Sequence, residues 1–189
     1  MNLADVPREK LSPMMQQYAA TKEKYSDCIV FFRLGDFYEM FFEDAILVSR
    51  ELELTLTGKE CGLEERAPMC GVPYHSVELY LKRLVDKGYK IAICEQMTDP
   101  ALSKGLVERD VIRIVTPGTL IESSMLEDDS NNYICTLYYG NDGSCALCFA
   151  DLSTGEMSLT VPQEAFDLSV RIMDVLSRYM PAELVKNRS

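Results

Sequence analysis

The chain has 189 residues, enough for one full domain and part of another, and 47% of them are hydrophobic, ample for a core. Its formal net charge of −11 excludes a protein that grips nucleic acid by bulk electrostatics. With no long apolar run and no basic-then-apolar leader, neither a membrane span nor a secretory signal is expected, which leaves a cytoplasmic chain as the reading.

Taken in chain order, Ser12 is placed to cap a helix with Pro13 at its first position, continuing through Met14, Tyr18 and Ala19. Cys28-Ile29-Val30-Phe31-Phe32 reads as a buried strand and Gly35 as a turn. Met40 to Leu52 then reads as a helix with Phe41, Ala45, Val48 and Leu52 on one face. On that reading Gly35-Asp36-Phe37-Tyr38-Glu39 sits at a strand-to-helix junction. Asp36 closes the turn or caps the helix, and Tyr38 alternates away from Phe37 and Glu39 to pack inward. Leu52 to Thr57 alternates like a half-buried strand, and Gly58 to Ala67 reads as a polar loop. Ser76 caps a helix carrying Val77, Tyr80, Leu81, Leu84 and Val85 at helical spacing, stopped by Gly88. Tyr89 to Glu95 and Val107 to Val115 are two further strands, separated by Thr98 to Gly105.

From Pro117 the composition turns acidic. Residues 1–116 carry a net charge of −4 and residues 117–189 a net −7. The reading is a first domain over 1–116, an acidic linker over 117–132, and the opening of a second domain over 133–189. In that second part Tyr133 to Tyr139 and Ser144 to Ala150 flank the hairpin signal Gly140-Asn141-Asp142-Gly143. Glu156 to Val161 adds a third strand, and a helix from Glu164 to Tyr179 ends at Pro181. The fold class expected is α/β (α+β), a mixed sheet with packed helices followed by a βββα segment. Seven cysteines lie mostly in apolar runs and read as reduced thiols. The Cys145–Cys148 pair falls in a strand, where residues three apart face opposite ways, and His75 is the single histidine, so no metal site is expected.

Five stretches stand together at the spacing of one family: Pro13-Met14-Met15-Gln16-Gln17-Tyr18, Gly35-Asp36-Phe37-Tyr38-Glu39, Gly71-Val72-Pro73-Tyr74-His75, Ile91-Ala92-Ile93-Cys94-Glu95-Gln96 and Val115-Thr116-Pro117-Gly118-Thr119. They resemble the amino-terminal part of the MutS family of DNA mismatch-repair proteins, unbroken from Leu11 to Thr119. The resemblance implies a mismatch-recognition domain (domain I) over 1–116 and a truncated, ribonuclease-H-like connector (domain II) over 133–189.

It further implies that Phe37 enters the minor groove of mismatched double-stranded DNA and stacks on a mispaired or unpaired base, the wedge device that kinks a duplex. Separating a base step costs a few kcal/mol and aromatic stacking returns about 1–3 kcal/mol, so the exchange favours sites whose stacking is already weakened. Glu39 is implied to contact the mispaired base. An ionised carboxylate only accepts hydrogen bonds, and a matched minor groove offers mainly acceptors, so Glu39 disfavours ordinary duplex; a protonated Glu39 would instead donate to a base acceptor. Lys59 and Arg109 match positions resembling phosphate-backbone contacts, with ordinary surface charge as the alternative, and Met69, Tyr74 and His75 belong to a loop resembling one that lines the duplex. Asp110, an acid directly after Arg109, departs from what DNA binding would favour.

No G-x-x-x-x-G-K-[ST] phosphate loop occurs, so no catalytic residue and no cofactor are assigned here. The resemblance assigns ATP hydrolysis, with ATP and Mg, to a full-length parent. To that parent it also assigns a dimer partner and downstream mismatch-repair proteins. Two other classes stay open from the residues alone: a metal-dependent nuclease using Asp142, Asp151 and Glu156, and a protein-docking module over 117–189.

Overall fold

The computed structural model describes residues 1–98, 105–127, 130–162 and 168–187. The chain divides into two compact units, Met1–Val115 and Thr116–Ser189.

In the first unit, helix α1 (Pro13–Lys24) precedes strand β1 (Ile29–Leu34), strand β2 (Phe37–Phe41) and helix α2 (Phe42–Leu52). Strands β3 (Thr57–Lys59) and β4 (Ala67–Pro73), helix α3 (Val77–Val85) and strands β5 (Ile91–Gln96) and β6 (Arg109–Val115) complete it. The six strands form one sheet in the order β3-β4-β2-β1-β5-β6. Only β1 and β5 run parallel; every other neighbouring pair is antiparallel, so the sheet is mixed.

Strand alternation divides the core. Phe32, Phe41, Ala67 and Cys94 pack with Leu11, Met15 and Tyr18 under α1, and the Tyr18 ring meets Phe32 and Phe41 edge-on at 5.5 and 5.0 Å. Cys70 of β4 faces the other way, its thiol 3.4 Å from the Ala45 carbonyl of α2. A buried carboxylate ties the layers together. Asp44 of α2 accepts hydrogen bonds from the Tyr18 hydroxyl (3.0 Å), the Val30 amide (2.9 Å) and the Lys22 ammonium (2.9 Å).

Four local expectations differ from what forms. The helix begins at Phe42, because Met40 and Phe41 extend strand β2; the break is taken at Phe42 itself, whose φ of 53° is a conformation that L-residues rarely adopt. Phe41 and Phe42 are buried whichever element holds them, so the apolar period could not mark the boundary. The strand expected over Leu52 to Thr57 is instead the end of α2, a left-handed cap at Glu53 and a short link, with pairing starting only at Thr57. The polar loop after it contains β3, and Met69 to Pro73 belong to strand β4. Ser12 and Ser76 stand at the starts of α1 and α3, but neither side chain caps its helix.

In the second unit, β7 (Tyr133–Tyr139), β8 (Cys145–Asp151) and β9 (Met157–Thr160) form the antiparallel meander, followed by helix α4 (Leu168–Tyr179). Residues 163–167, including the expected start of that helix, lie outside the described residues. A strand not foreseen, β10 (Glu183–Lys186), returns parallel to β7 and gives the order β10-β7-β8-β9. The stretch read as a linker is folded where described. It has 3-10 turns at Pro117–Thr119 and Ser123–Met125, with Leu120 and Met125 buried, and the Gly118 amide donates to Glu183 at 3.1 Å.

Candidate nucleic-acid interface

The Phe37 motif lies on a β-hairpin. Leu34 of β1 pairs with Phe37 of β2, so Gly35 and Asp36 alone form the loop. Gly35 has φ 57° and Asp36 a negative φ, the type II′ pattern, whose first position favours glycine because it has no Cβ. This corrects the strand-to-helix placement: Asp36 closes the hairpin and caps no helix.

Phe37 is the first residue of β2, between Leu34 and Pro73, and remains 46% exposed. Tyr38, the next residue, is buried, and its hydroxyl donates to Glu95. Burial, reinforced by the hydrogen bond and charge of Glu95, raises the Tyr38 phenol above its ordinary range.

The hairpin tip is held from beneath by Arg33, a residue that no motif or periodicity in the sequence marks. Its guanidinium donates to the Gly35 carbonyl and to Glu95 (3.3 Å), and lies 3.8 Å from the Tyr74 ring centroid and 5.6 Å from that of Tyr38. The Tyr74 amide donates to the Asp36 carbonyl at 2.9 Å, fastening the end of β4 to the same turn. An exposed aromatic ring is thus mounted on a hairpin whose loop and neighbours are fixed by hydrogen bonds and cation–π stacking.

Glu39 lies two residues along β2 on the same face as Phe37, opposite Phe32 on one side and Gly71 on the other. Its carboxylate meets the Lys59 ammonium at 3.0 and 3.3 Å. Lys59, paired with Ala67, reaches it from β3 across the intervening strand β4.

The other expected contact residues divide. Tyr74 and His75 are exposed in the 3-10 turn after β4, their rings edge-on at 5.8 Å. Met69 is half-buried in β4 beside Phe41 and Thr57, so it is a strand residue and not part of a loop. Arg109 is turned inward: it donates to the Arg33 carbonyl (2.7 Å), to Gln17 (3.0 Å) and to the Val107 carbonyl (2.9 Å), and lies 5.0 Å from the Phe32 ring centroid. Burial lowers its pKa from the ordinary value. These internal bonds make Arg109 a strut within the sheet.

The acidic residues of the nuclease alternative are not assembled. Asp142 sits in the β7–β8 turn, bonded to the Ser144 amide. Asp151, at the far end of β8, accepts from Ser153, Thr154 and the Asn132 amide, and Glu156 holds Tyr133 and Asn131. No group of three metal-ligating side chains occurs among the described residues.

Comparison with known proteins accords with the motifs. The family model described as MutS domain I matches residues 12–124. The chain is 58% identical over 179 residues to the "DNA mismatch repair protein MutS" of Clostridium tetani, covering 95% of this chain and 20% of that protein. It is 58% identical over 177 residues to the protein of that name from Acetivibrio thermocellus, covering 94% and 20%. For the Clostridium kluyveri protein the identity is 56%, over 93% of this chain and 20% of the relative. The chain therefore spans about a fifth of the length of these relatives. With a domain I match over more than half its residues and the motifs in place, the chain belongs to the MutS family.

Proposed function

We propose that this chain carries the mismatch-contacting module of a DNA mismatch-repair protein, with Phe37 as the wedge and Glu39 as the group that contacts the mispaired base. The observation that carries this reading is a phenylalanine ring left 46% exposed on a clamped hairpin, where the neighbouring phenylalanines, Phe31, Phe32, Phe41 and Phe42, are fully buried. A ring held out at that cost is poised to enter an apolar space elsewhere, and a weakened base stack supplies one.

Discrimination follows from the energetics of insertion. The wedge reads deformability and no particular sequence, while the Glu39 carboxylate finds a partner only where a mispaired base presents a donor. Tyr74 and His75 are exposed in the turn that follows β4, beside the hairpin tip, and Lys59 is ion-paired with Glu39. ATP and Mg chemistry, the dimer partner and docking of downstream repair proteins belong, on this reading, to sequence outside this chain. The sequence has no G-x-x-x-x-G-K-[ST] motif, and no step is assigned to nucleotide.

The test is a nuclear magnetic resonance titration of this chain with two otherwise identical duplexes, one fully paired and one with a single mispair. The mispaired duplex is expected to shift the Phe37 and Glu39 resonances at lower concentration than the paired one. Binding should be weaker than submicromolar, because the −11 charge opposes it. Equal affinity for both duplexes, or shifts that avoid the hairpin, would refute the assignment.

A further inference from the structure

The Glu39–Lys59 ion pair changes what both residues can do. A lysine that merely contacts phosphate would be free in the unbound chain; here its ammonium straddles both oxygens of the one carboxylate assigned to the mispaired base, at 3.0 and 3.3 Å. The pair is sheltered, with Glu39 15% and Lys59 35% exposed at their side chains. Gly71, Glu39's partner on β4, lies against the base of the glutamate side chain: a Cβ there would stand 3.5 Å from the Glu39 Cγ and a tight 3.3 Å from the Tyr38 carbonyl oxygen.

Resting on the wedge reading, we propose that Lys59 is a specificity-setting positioning residue: it stays on Glu39 against paired duplex and is released to a DNA phosphate only when Glu39 finds a donor on a mispaired base. Against a matched minor groove, which offers Glu39 acceptors, leaving Lys59 would strand the carboxylate without a partner, so the ion pair persists and Lys59 makes no phosphate contact. At a mispair, Glu39 exchanges the ammonium for a base donor, and the freed Lys59 neutralises a phosphate. The backbone contact, which carries no sequence information by itself, thereby becomes conditional on the base contact.

Salt dependence reads this exchange directly, because each phosphate neutralised by a cation adds about 0.9 to the slope of log affinity against log salt. In the unsubstituted chain the mispaired duplex should show a slope steeper by about 0.9 than the paired duplex. Lys59→Met removes the contact from both and should abolish the difference. Glu39→Gln frees Lys59 on both and should also abolish it, by steepening the slope for paired duplex; Lys59→Arg should preserve it. Without DNA, the Lys59 amine should be methylated more slowly in the unsubstituted chain than in Glu39→Gln, since the carboxylate shields it.

Equal slopes in the unsubstituted chain, a difference that survives Lys59→Met, or equal amine reactivity in the two backgrounds would overturn the proposal. Failure of the wedge reading is separate: it would appear as a mismatch preference untouched by Phe37→Ala, whatever the salt slopes.

Discussion

Phe37→Ala separates a recognition residue from a core residue. Fully burying a phenylalanine side chain is worth about 1.5–3 kcal/mol, and this ring is 46% exposed, so its removal should cost the fold roughly 1 kcal/mol. Loss of a base-stacking aromatic should cost about 1–3 kcal/mol of binding, roughly a 5- to 150-fold loss, confined to the mispaired duplex. Tyr38→Ala is the internal control. That side chain is buried and hydrogen-bonded to Glu95, and truncating it should destabilise the chain by about 3–5 kcal/mol. Chemical denaturation gives the stability terms, and titration with paired and mispaired duplexes gives the binding terms. If Phe37→Ala proves as destabilising as Tyr38→Ala, or if the affinity ratio between the duplexes is unchanged, the ring is structural and the wedge reasoning is wrong.

Four other outcomes follow from the geometry. Asp44→Ala should cost about 3 kcal/mol, because the Val30 amide, the Tyr18 hydroxyl and Lys22 all lose their acceptor; a denaturation midpoint shift near that of a surface substitution would contradict it. Burial raises the Asp44 carboxyl above its ordinary value, against the lowering pull of Lys22 and the bonds from Val30 and Tyr18. The folded chain therefore binds that proton more tightly than the unfolded one. This group's contribution falls as pH rises from the ordinary aspartate range through the raised folded value, a slope that Asp44→Ala should remove from a pH series of denaturation curves. Burial pushes the Cys28, Cys94 and Cys135 thiols up to about 11 and Cys70 to about 12, so at neutral pH a thiol reagent should modify the native chain quickly at Cys148 at most, and all seven cysteines only after unfolding. Gly35→Val should cost about 1–2 kcal/mol through its positive φ, since no atom lies within 4 Å of an added Cβ; mass-resolved hydrogen exchange should place the loosening at the hairpin tip.

The chemistry of the candidate site was legible because it is local. Gly35 announced a turn, the Phe37-Tyr38-Glu39 alternation put Tyr38 opposite its neighbours, and apolar runs marked β1, α3, β5 and the β7–β8 hairpin within a few residues. What misled was also local. Phe41 and Phe42 satisfy a helix period and a strand core equally, so the pattern fits a strand-to-helix junction as well as the hairpin that forms. Strands β3 and β10 are only three and four residues long, too short to show a period, and exist because β4 and β7 offer them hydrogen-bonding partners.

By itself, then, the sequence determined the mixed α/β class, the likeness to one family and the identity of the exposed aromatic and its neighbouring acid. The tertiary structure alone decided which charges meet. Lys59 comes from 20 residues away to neutralise Glu39, Glu95 from 57 away to anchor Tyr38, and Arg109 from 76 away to turn inward on Arg33. A charged side chain carries no periodic signature of its partner. Strand order brings such residues together, and strand order is set by the burial of the whole core.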